Sequence, residues 1–465
     1  METTARQVLI VLPGGMTVRN WLSTNVAKRL GEERSLKIAV ITPEAGDEAP
    51  ANAAGLEWRP LLSRRTVGLM DWLRLLAGYL LHQAIVFRFN ALAQLWGAEQ
   101  RLQQSWRLRK MAIKDGVPAS RWFGTPFPRS HRVYQMLRRL YFAGWQRQAA
   151  VEKLFDVTKP ALLVLGHVQT HFSTPYALAA IARNIPIVGA IGSWDQPTTK
   201  GPLAPGVRFF LAQSQAVAHE LVRYHRVKRE AIEVVGWVQM DSYLGVDAGR
   251  VNALKELNLP CNARYVLVGS SPERLGHNEP AICKWLAGEL AKFSNTTLVI
   301  RSHPNDRKWQ ERFGSQHSPP RVVVLPPEFA RMDRMANQIR HAAAVLSPAG
   351  SILLDAVGLD TPAIALAFEN DDEPYYDRLA RRYDMEHLRS MINTGGVVLA
   401  QNRDDLAAYI AEALADRDRN GHKRAKLRRE HLEPLDGRSA DRLVAIIKRE
   451  ACCKPAPEQQ EVRAQ

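Results

Sequence analysis

Four polar clusters sit where an apolar run stops, and each combines residue types that do chemistry on phosphates or sugars. Arg301-Ser302-His303-Pro304 ends one run; Pro304 stops the strand. An imidazole displayed there donates to phosphate or accepts a proton, and Arg301 suits a bidentate phosphate contact. Ser347-Pro348-Ala349-Gly350-Ser351 precedes an apolar helical stretch. Small residues there admit a ligand to the backbone, and Ser351 stands at a helix start whose N–H groups suit a diphosphate. The plain alternative is an ordinary N-cap with a tight turn. Asp355, four residues on, shares a face with Ser351; it would reach a ribose or the Gly350 loop, or remain a solvated helix carboxylate. Ser270-Ser271-Pro272-Glu273 offers hydroxyl and backbone donors, with Glu273 for sugar hydroxyls or a helix cap.

The fourth cluster, Gly192 through Gly201, lies in the first half and contains Trp194, Asp195, Thr198, Thr199 and Lys200. Trp194 offers a stacking face to a sugar, Asp195 a base for an acceptor hydroxyl, and Thr199 and Lys200 further acceptor contacts. An Asx-type turn with structural hydroxyls is the alternative. His171, with His167 just upstream, is the reserve base.

Those clusters need elements to hold them. Strands are expected at 7–12, 36–42, 55–61, 161–165, 185–191, 208–212 and 231–235, then at 265–269, 297–301, 321–325, 343–346 and 362–367, with helices between most of them. One helix is expected from Val18 to Leu30, and Asp241–Arg250 reads as a linker. Strand–helix alternation with short loops implies parallel sheets, which bind ligands beyond the carboxyl ends of their strands. The fold class is therefore α/β: two Rossmann-like domains facing a central cleft. The N-terminal domain is expected over 1–245, with a helical insertion at about 66–155. The C-terminal domain is expected over 246–450, and 451–465 is expected as a disordered tail.

Composition narrows the partners. The 465 residues are 46% hydrophobic and carry a formal net charge of +16, enough apolar material for two cores and an excess that favours anionic ligands. Residues 99–153 hold 12 Lys/Arg against 3 Asp/Glu, with Trp106, Trp122, Tyr134, Tyr141, Phe142 and Trp145 interleaved. They read as a helical insertion packed on the sheet, or as a surface for anionic lipid headgroups. The four cysteines have no paired metal-ligand spacing, and no metal site is expected. Their use, with no secretory signal visible, reads as a cytoplasmic protein, with peripheral contact at the inner face of the cell membrane left open. His82, Gln83, Arg88 and Asn90 interrupt the longest apolar stretch, so no spanning segment is expected. GxGxxG, the P-loop, HExxH and GxSxG are all absent, which disfavours a dinucleotide dehydrogenase, a P-loop nucleotidase, a zincin and a standard hydrolase. No nucleic-acid-reading module is present.

Taken together, the chain resembles the GT-B glycosyltransferase superfamily. Within it, it is similar to CDP-glycerol glycerophosphotransferase-like and bacterial surface-polysaccharide transferases, fold relatives of UDP-N-acetylglucosamine 2-epimerase. The resemblance rests on Gly236 through Asp241, Arg301 through Pro304, Ser347 through Asp355, Thr361-Pro362 and Asp436 through Arg442, over about residues 160–445. It implies a metal-independent, inverting transfer from a nucleotide-sugar donor to a glycan or lipid-linked acceptor, without a resident cofactor. It also implies an acceptor role for the N-terminal domain and a nucleotide-donor role for the C-terminal one. Ser271, Arg301, His303, Gly350, Ser351 and Asp355 would bind the donor; Asp195 or His171 would be the base. The histidine-containing acceptor loop of glycerophosphate transferases is replaced by the Trp194-Asp195 loop, and the epimerase pattern is incomplete. Transfer of a phosphorylated polyol from a CDP donor and a non-catalytic membrane scaffold are the rival expectations.

Overall fold

Short runs of Val, Leu, Ile and Ala, closed by Gly, Ser or Pro, form the strands, because such runs suit positions buried on both faces of a parallel sheet. In the computed structural model these runs build two units, one of residues up to Val238 together with those from Arg438 onward, the other from Gln239 to Gly437. The structure describes residues 5–63, 136, 138, 139, 142, 145, 147–199, 202–272, 278–318, 321–328, 331–348, 350–368, 383 and 386–453. Most of the expected helical insertion, Trp106, Trp122, Tyr134 and Tyr141 included, lies outside them.

Among the described residues, the N-terminal unit has seven parallel strands: β1 (Arg6–Val11), β2 (Leu36–Thr42), β3 (Glu57–Pro60), β4 (Leu162–Leu165), β5 (Ile187–Ala190), β6 (Val207–Ala212) and β7 (Ile232–Val234), in the order β3-β2-β1-β4-β5-β6-β7. The C-terminal unit has six: β8 (Arg264–Gly269), β9 (Thr296–Arg301), β10 (Val322–Leu325), β11 (Ala344–Ser347), β12 (Ala363–Leu366) and β13 (Val397–Ala400), in the order β10-β9-β8-β11-β12-β13. Both orders run outward from the first strand, then restart on its other side. The switch point falls between β1 and β4 in one sheet and between β8 and β11 in the other. Beyond the strand ends at such a point, diverging loops leave room for a ligand.

Each unit has its own core. In the first, Val8, Ile10, Val40, Val164 and Val188 pack with Trp21, Val26 and Leu30. In the second, Val266, Leu298, Ile300, Leu346 and Ile364 meet Ile282, Leu286, Phe313, Leu406 and Ile410. Full burial of such a side chain contributes about 1.5–3 kcal/mol.

Several expectations need correction. The expected helix from Val18 to Leu30 is two, Gly15–Leu22 and Asn25–Glu32, because Thr24 caps the second by accepting from the Val26 N–H at 3.3 Å. The expected linker contains the helix Val238–Leu244 and leads into Arg250–Glu256. The chain also returns: helix Ser439–Cys452 buries Ala440, Leu443 and Ile447 in the N-terminal core, so these residues do not belong to the C-terminal unit. Ala451 and Cys452 are helical rather than part of a disordered tail, and residues 454–465 lie outside the described set. Arg442 Nε donates to the Val235 carbonyl at 2.8 Å, pinning the returning helix beside the segment where the chain departs. Among the described residues, no helix is long and apolar enough to cross a membrane.

Candidate functional site

Parallel pairing brings Gly269 level with Arg301, so β8 and β9 end side by side and deliver Ser270 and His303 to the same edge. The Ser270 hydroxyl accepts from the His303 N–H at 3.0 Å. On the other side of β8, Ser347 at the end of β11 donates its hydroxyl to the Gly269 carbonyl at 2.8 Å. The turn after β11 then closes tightly. A Cβ on Gly350 would lie 2.5 Å from Ser347 Oγ, and one on Gly269 would lie 2.8 Å from Ile352 Cγ2, so both positions require glycine. Tyr383 donates from its hydroxyl to the Leu366 carbonyl at 3.1 Å and reaches the Ser347 carbonyl at 3.4 Å, tying β12 to the same edge. His303 after β9, Ser270 after β8 and the Gly350–Ser351 turn after β11 therefore follow one another along one edge, or rim, of the sheet, the last two flanking the β8/β11 switch point. His303, Gly350 and Ser351 are all partly exposed.

The rim is rich in hydrogen-bond donors. The Asn305 N–H donates to His303 Nδ1 at 3.1 Å. A neutral imidazole accepting at Nδ1 carries its proton on Nε2, which makes Nε2–H a donor. Burial lowers the His303 pKa; Arg312 lowers it further and Asp306 opposes. The ring is accordingly neutral near pH 7. Helix Ile352–Gly358 makes its first backbone bonds from Leu353 to Gly350 and from Leu354 to Ser351, so the N–H groups of Gly350, Ser351 and Ile352 precede its hydrogen-bond ladder. Ser351 occupies the N-cap position, but its side chain makes no capping bond.

Other expected donor residues are used differently. Arg301 is buried; it donates to Gln338 Oε1 at 3.1 Å and to the Glu328 carbonyl at 3.4 Å, and pairs with the Glu328 carboxylate at 3.6 Å. Its guanidinium braces the strand end and is not a phosphate fork. The Ser271 N–H is taken by both Glu279 oxygens, at 3.0 and 2.9 Å, and its carbonyl by Arg312. A carboxylate of the protein thus occupies the position where an anion was expected on Ser271. Asp355 is buried, which rules out the solvated helix carboxylate. Glu273 lies outside the described residues.

In the N-terminal unit the segment 192–199 is held by bonds of its own and by bonds to Gln169, His167 and His225. Gly192 N–H donates to Gln196 Oε1 at 2.9 Å, Ser193 Oγ to Asp195 Oδ1 at 2.5 Å, and Thr198 Oγ1 to the Asp195 carbonyl at 3.1 Å. This opens the short helix Gln196–Thr199, the structural turn that the sequence left open. Trp194 is 7% exposed and belongs to the core, so it offers no stacking face; the large indole was worth more buried than displayed. Asp195 is half-buried. His171 is exposed, in a turn, with its ring 3.9 Å from that of Phe172, while His167 contacts Gln196 Nε2 at 3.0 Å beside the segment. Thr199 closes the short helix, but its side chain lies outside the described set, as does the whole of Lys200.

Three residues that matter at the donor rim were not singled out from sequence: Glu279, Asp306 and Arg312. Glu279 precedes Pro280 at a helix start, which reads as an ordinary dipole-favouring acid. Nothing in the local pattern links it to an arginine 33 positions later.

No protein-family model matches the chain, and no curated protein matches it in sequence. Solved structures do. S. aureus MnaA with UDP superposes with a TM-score of 0.56 at 13% identity, covering 96% of each chain. The UDP-GlcNAc 2-epimerase from Neisseria meningitidis bound to UDP-GlcNAc gives 0.53 at 12%, covering 95% of this chain and all (100%) of that one. A glycosyltransferase from Rickettsia africae gives 0.51 at 10%, covering 97% and 100%. With the two Rossmann-like parallel sheets, these likenesses establish that the chain has the GT-B fold shared by epimerases and glycosyltransferases.

Proposed function

We propose that this protein is a nucleotide-sugar enzyme of the glycosyltransferase type, moving a sugar from a nucleotide-activated donor to a bacterial surface-polysaccharide or lipid-linked acceptor with inversion. One observation carries the reading: His303, with its proton on Nε2, shares one sheet edge with Ser270 and the Gly350–Ser351 turn. Neutral N–H donors arranged in this way match the non-bridging oxygens of a diphosphate and stabilise charge as it develops on the leaving group. In a direct displacement, the acceptor oxygen forms the new bond to the anomeric carbon as the bond to the diphosphate oxygen breaks. The acceptor proton goes to Asp195, to which we assign the base role on the N-terminal unit. Its Ser193 contact orients the carboxylate, and its half-buried position leaves it accessible. Neutralisation of the leaving diphosphate is assigned to His303 Nε2–H and to the N–H groups of Gly350, Ser351 and Ile352.

A thermal-shift screen against UDP, CDP, GDP and CMP tests the donor assignment. A ligand at about one hundred times its Kd adds about 2.7 kcal/mol, so one nucleotide class is expected to raise Tm measurably. His303→Ala is expected to weaken that nucleotide about tenfold, the effect of roughly one charge-assisted hydrogen bond. No shift with any nucleotide, or unchanged affinity in the variant, refutes the assignment.

A second reading, epimerisation of a UDP-sugar, is favoured by the UDP-GlcNAc 2-epimerase among the similar structures. It separates cleanly. Incubating the enzyme with a UDP-sugar and no acceptor changes the sugar's NMR spectrum under the epimerase reading and leaves it unchanged under the transferase reading.

A further inference from the structure

Arg312, Glu279 and Asp306 form a buried ionic cluster beside the donor rim, with side chains 7, 1 and 1% exposed. Arg312 Nη1 donates to the Ser271 carbonyl at 2.8 Å and to the Asp306 carboxylate; Nη2 meets Glu279 Oε2 at 3.1 Å. Glu279 in turn holds the Ser271 N–H. Asp306 Oδ1 accepts from the Lys308 N–H at 3.0 Å, and the Asp306 N–H donates to the His303 carbonyl at 2.8 Å. One guanidinium thus joins the loop after β8, the turn after β9 and the first residue of helix Glu279–Leu290.

The cluster lies beyond the region where the sheet needs it. Ladder bonds already register β8 on β9 from Arg264↔Thr296 to Gly269↔Arg301. What Arg312 adds is the spacing of the two loops after the strands end. Buried ion pairs contribute little net stability and fix geometry. An ionic brace accompanies the loops that carry His303. The Arg312 guanidinium faces both carboxylates and offsets part of their charge beside the rim.

We propose that Arg312 is a positioning residue of the donor site: with Glu279 and Asp306 it sets the separation between the Ser270–Ser271 loop and the His303 turn at which a diphosphate fits. This rests on the donor-site reading and specifies it further. The test is calorimetric titration with UDP, and with CDP in parallel, of wild type, Arg312→Gln, Arg312→Lys and Asp306→Asn, each checked for folding by circular dichroism. In Asp306→Asn the amide oxygen still caps the Lys308 N–H, so that variant carries the test if Arg312→Gln does not fold. Positioning predicts that the nucleotide Kd of folded protein rises about tenfold or more in Arg312→Gln, with partial rescue in Arg312→Lys and an intermediate loss in Asp306→Asn. A purely structural brace lowers Tm and leaves the affinity of the folded protein unchanged; that result overturns the proposal. If wild type binds neither UDP nor CDP, the same variants are titrated with GDP and CMP; if it binds none of the four, the donor-site reading itself falls, and the brace loses its assigned purpose with it.

Discussion

The loop ends of the two sheets differ in what their polar residues leave facing the sheet edge. After β8, β9 and β11, hydrogen bonds run between loops: Ser270 to His303, Ser347 to Gly269, Arg312 to Ser271 and Asp306. The loops are locked to each other, and His303 retains a donor, Nε2–H. After β5, bonds within the loop, Ser193 to Asp195, Thr198 to Asp195 and Gly192 to Gln196, stand beside bonds to the loop after β4, where Gln196 meets His167 Nε2 at 3.0 Å and its carbonyl accepts from Gln169 Nε2 at 3.1 Å. That segment is anchored from outside by His225, which is buried and contacts the Pro197 carbonyl at 2.7 Å. The lesson is that a polar loop at a sheet's carboxyl edge is not evidence of a site until the destination of its polar groups is known.

The contrast can be broken most forcefully at Trp194. If it is core, Trp194→Ala costs about 3–5 kcal/mol of stability, measured by urea unfolding. A loss under about 1 kcal/mol, with acceptor affinity abolished instead, would restore the indole to the site. The next test lies in the other unit. Gly350→Ala forces a Cβ toward Ser347 Oγ, and overpacking of this kind costs about 1–3 kcal/mol. The double variant Ser347→Ala/Gly350→Ala removes the obstructing hydroxyl and is expected to recover part of both stability and UDP affinity. No recovery would show that the turn does not depend on this contact.

The smallest expected effects are pH slopes of opposite sign. Burial lowers the His225 pKa from 6.5 to about 4. Between those values the unfolded chain binds more protons than the native state, so this group's stabilising contribution is lost as pH falls from 6.5 toward 4. Burial raises the Glu279 pKa from 4.5 to about 7; there the native state binds more protons, so its contribution is lost as pH rises from 4.5 through 7. His225→Gln is expected to flatten the acid-side loss and Glu279→Gln the opposite slope, both read from Tm between pH 4 and 8. Matching profiles in wild type and both variants would contradict these assignments.

Most of the strands were legible because buried parallel strands are short unbroken apolar runs; β2 falls on the residues expected of it, Leu36–Thr42. β13 was not, since Val397–Ala400 is only four residues between Gly395-Gly396 and a polar turn. The return of helix Ser439–Cys452 to the first unit was also hidden, because an amphipathic helix states that it has a partner and not which one. At the candidate site, His303 and Gly350 were legible as punctuation at strand ends. Arg301 misled because a strand's last residue can face the interior as readily as the rim. The Glu279–Arg312–Asp306 cluster depends on three elements meeting in space, and no local pattern encodes that.

Amide hydrogen exchange of the wild-type protein with and without saturating UDP most directly tests where the diphosphate is held. The account predicts slowed exchange at Ser270–Ser271, at the His303 turn and at Gly350–Ile352. Protection at the Gly192–Thr199 segment instead, or none at these strand ends while UDP is bound, would contradict it.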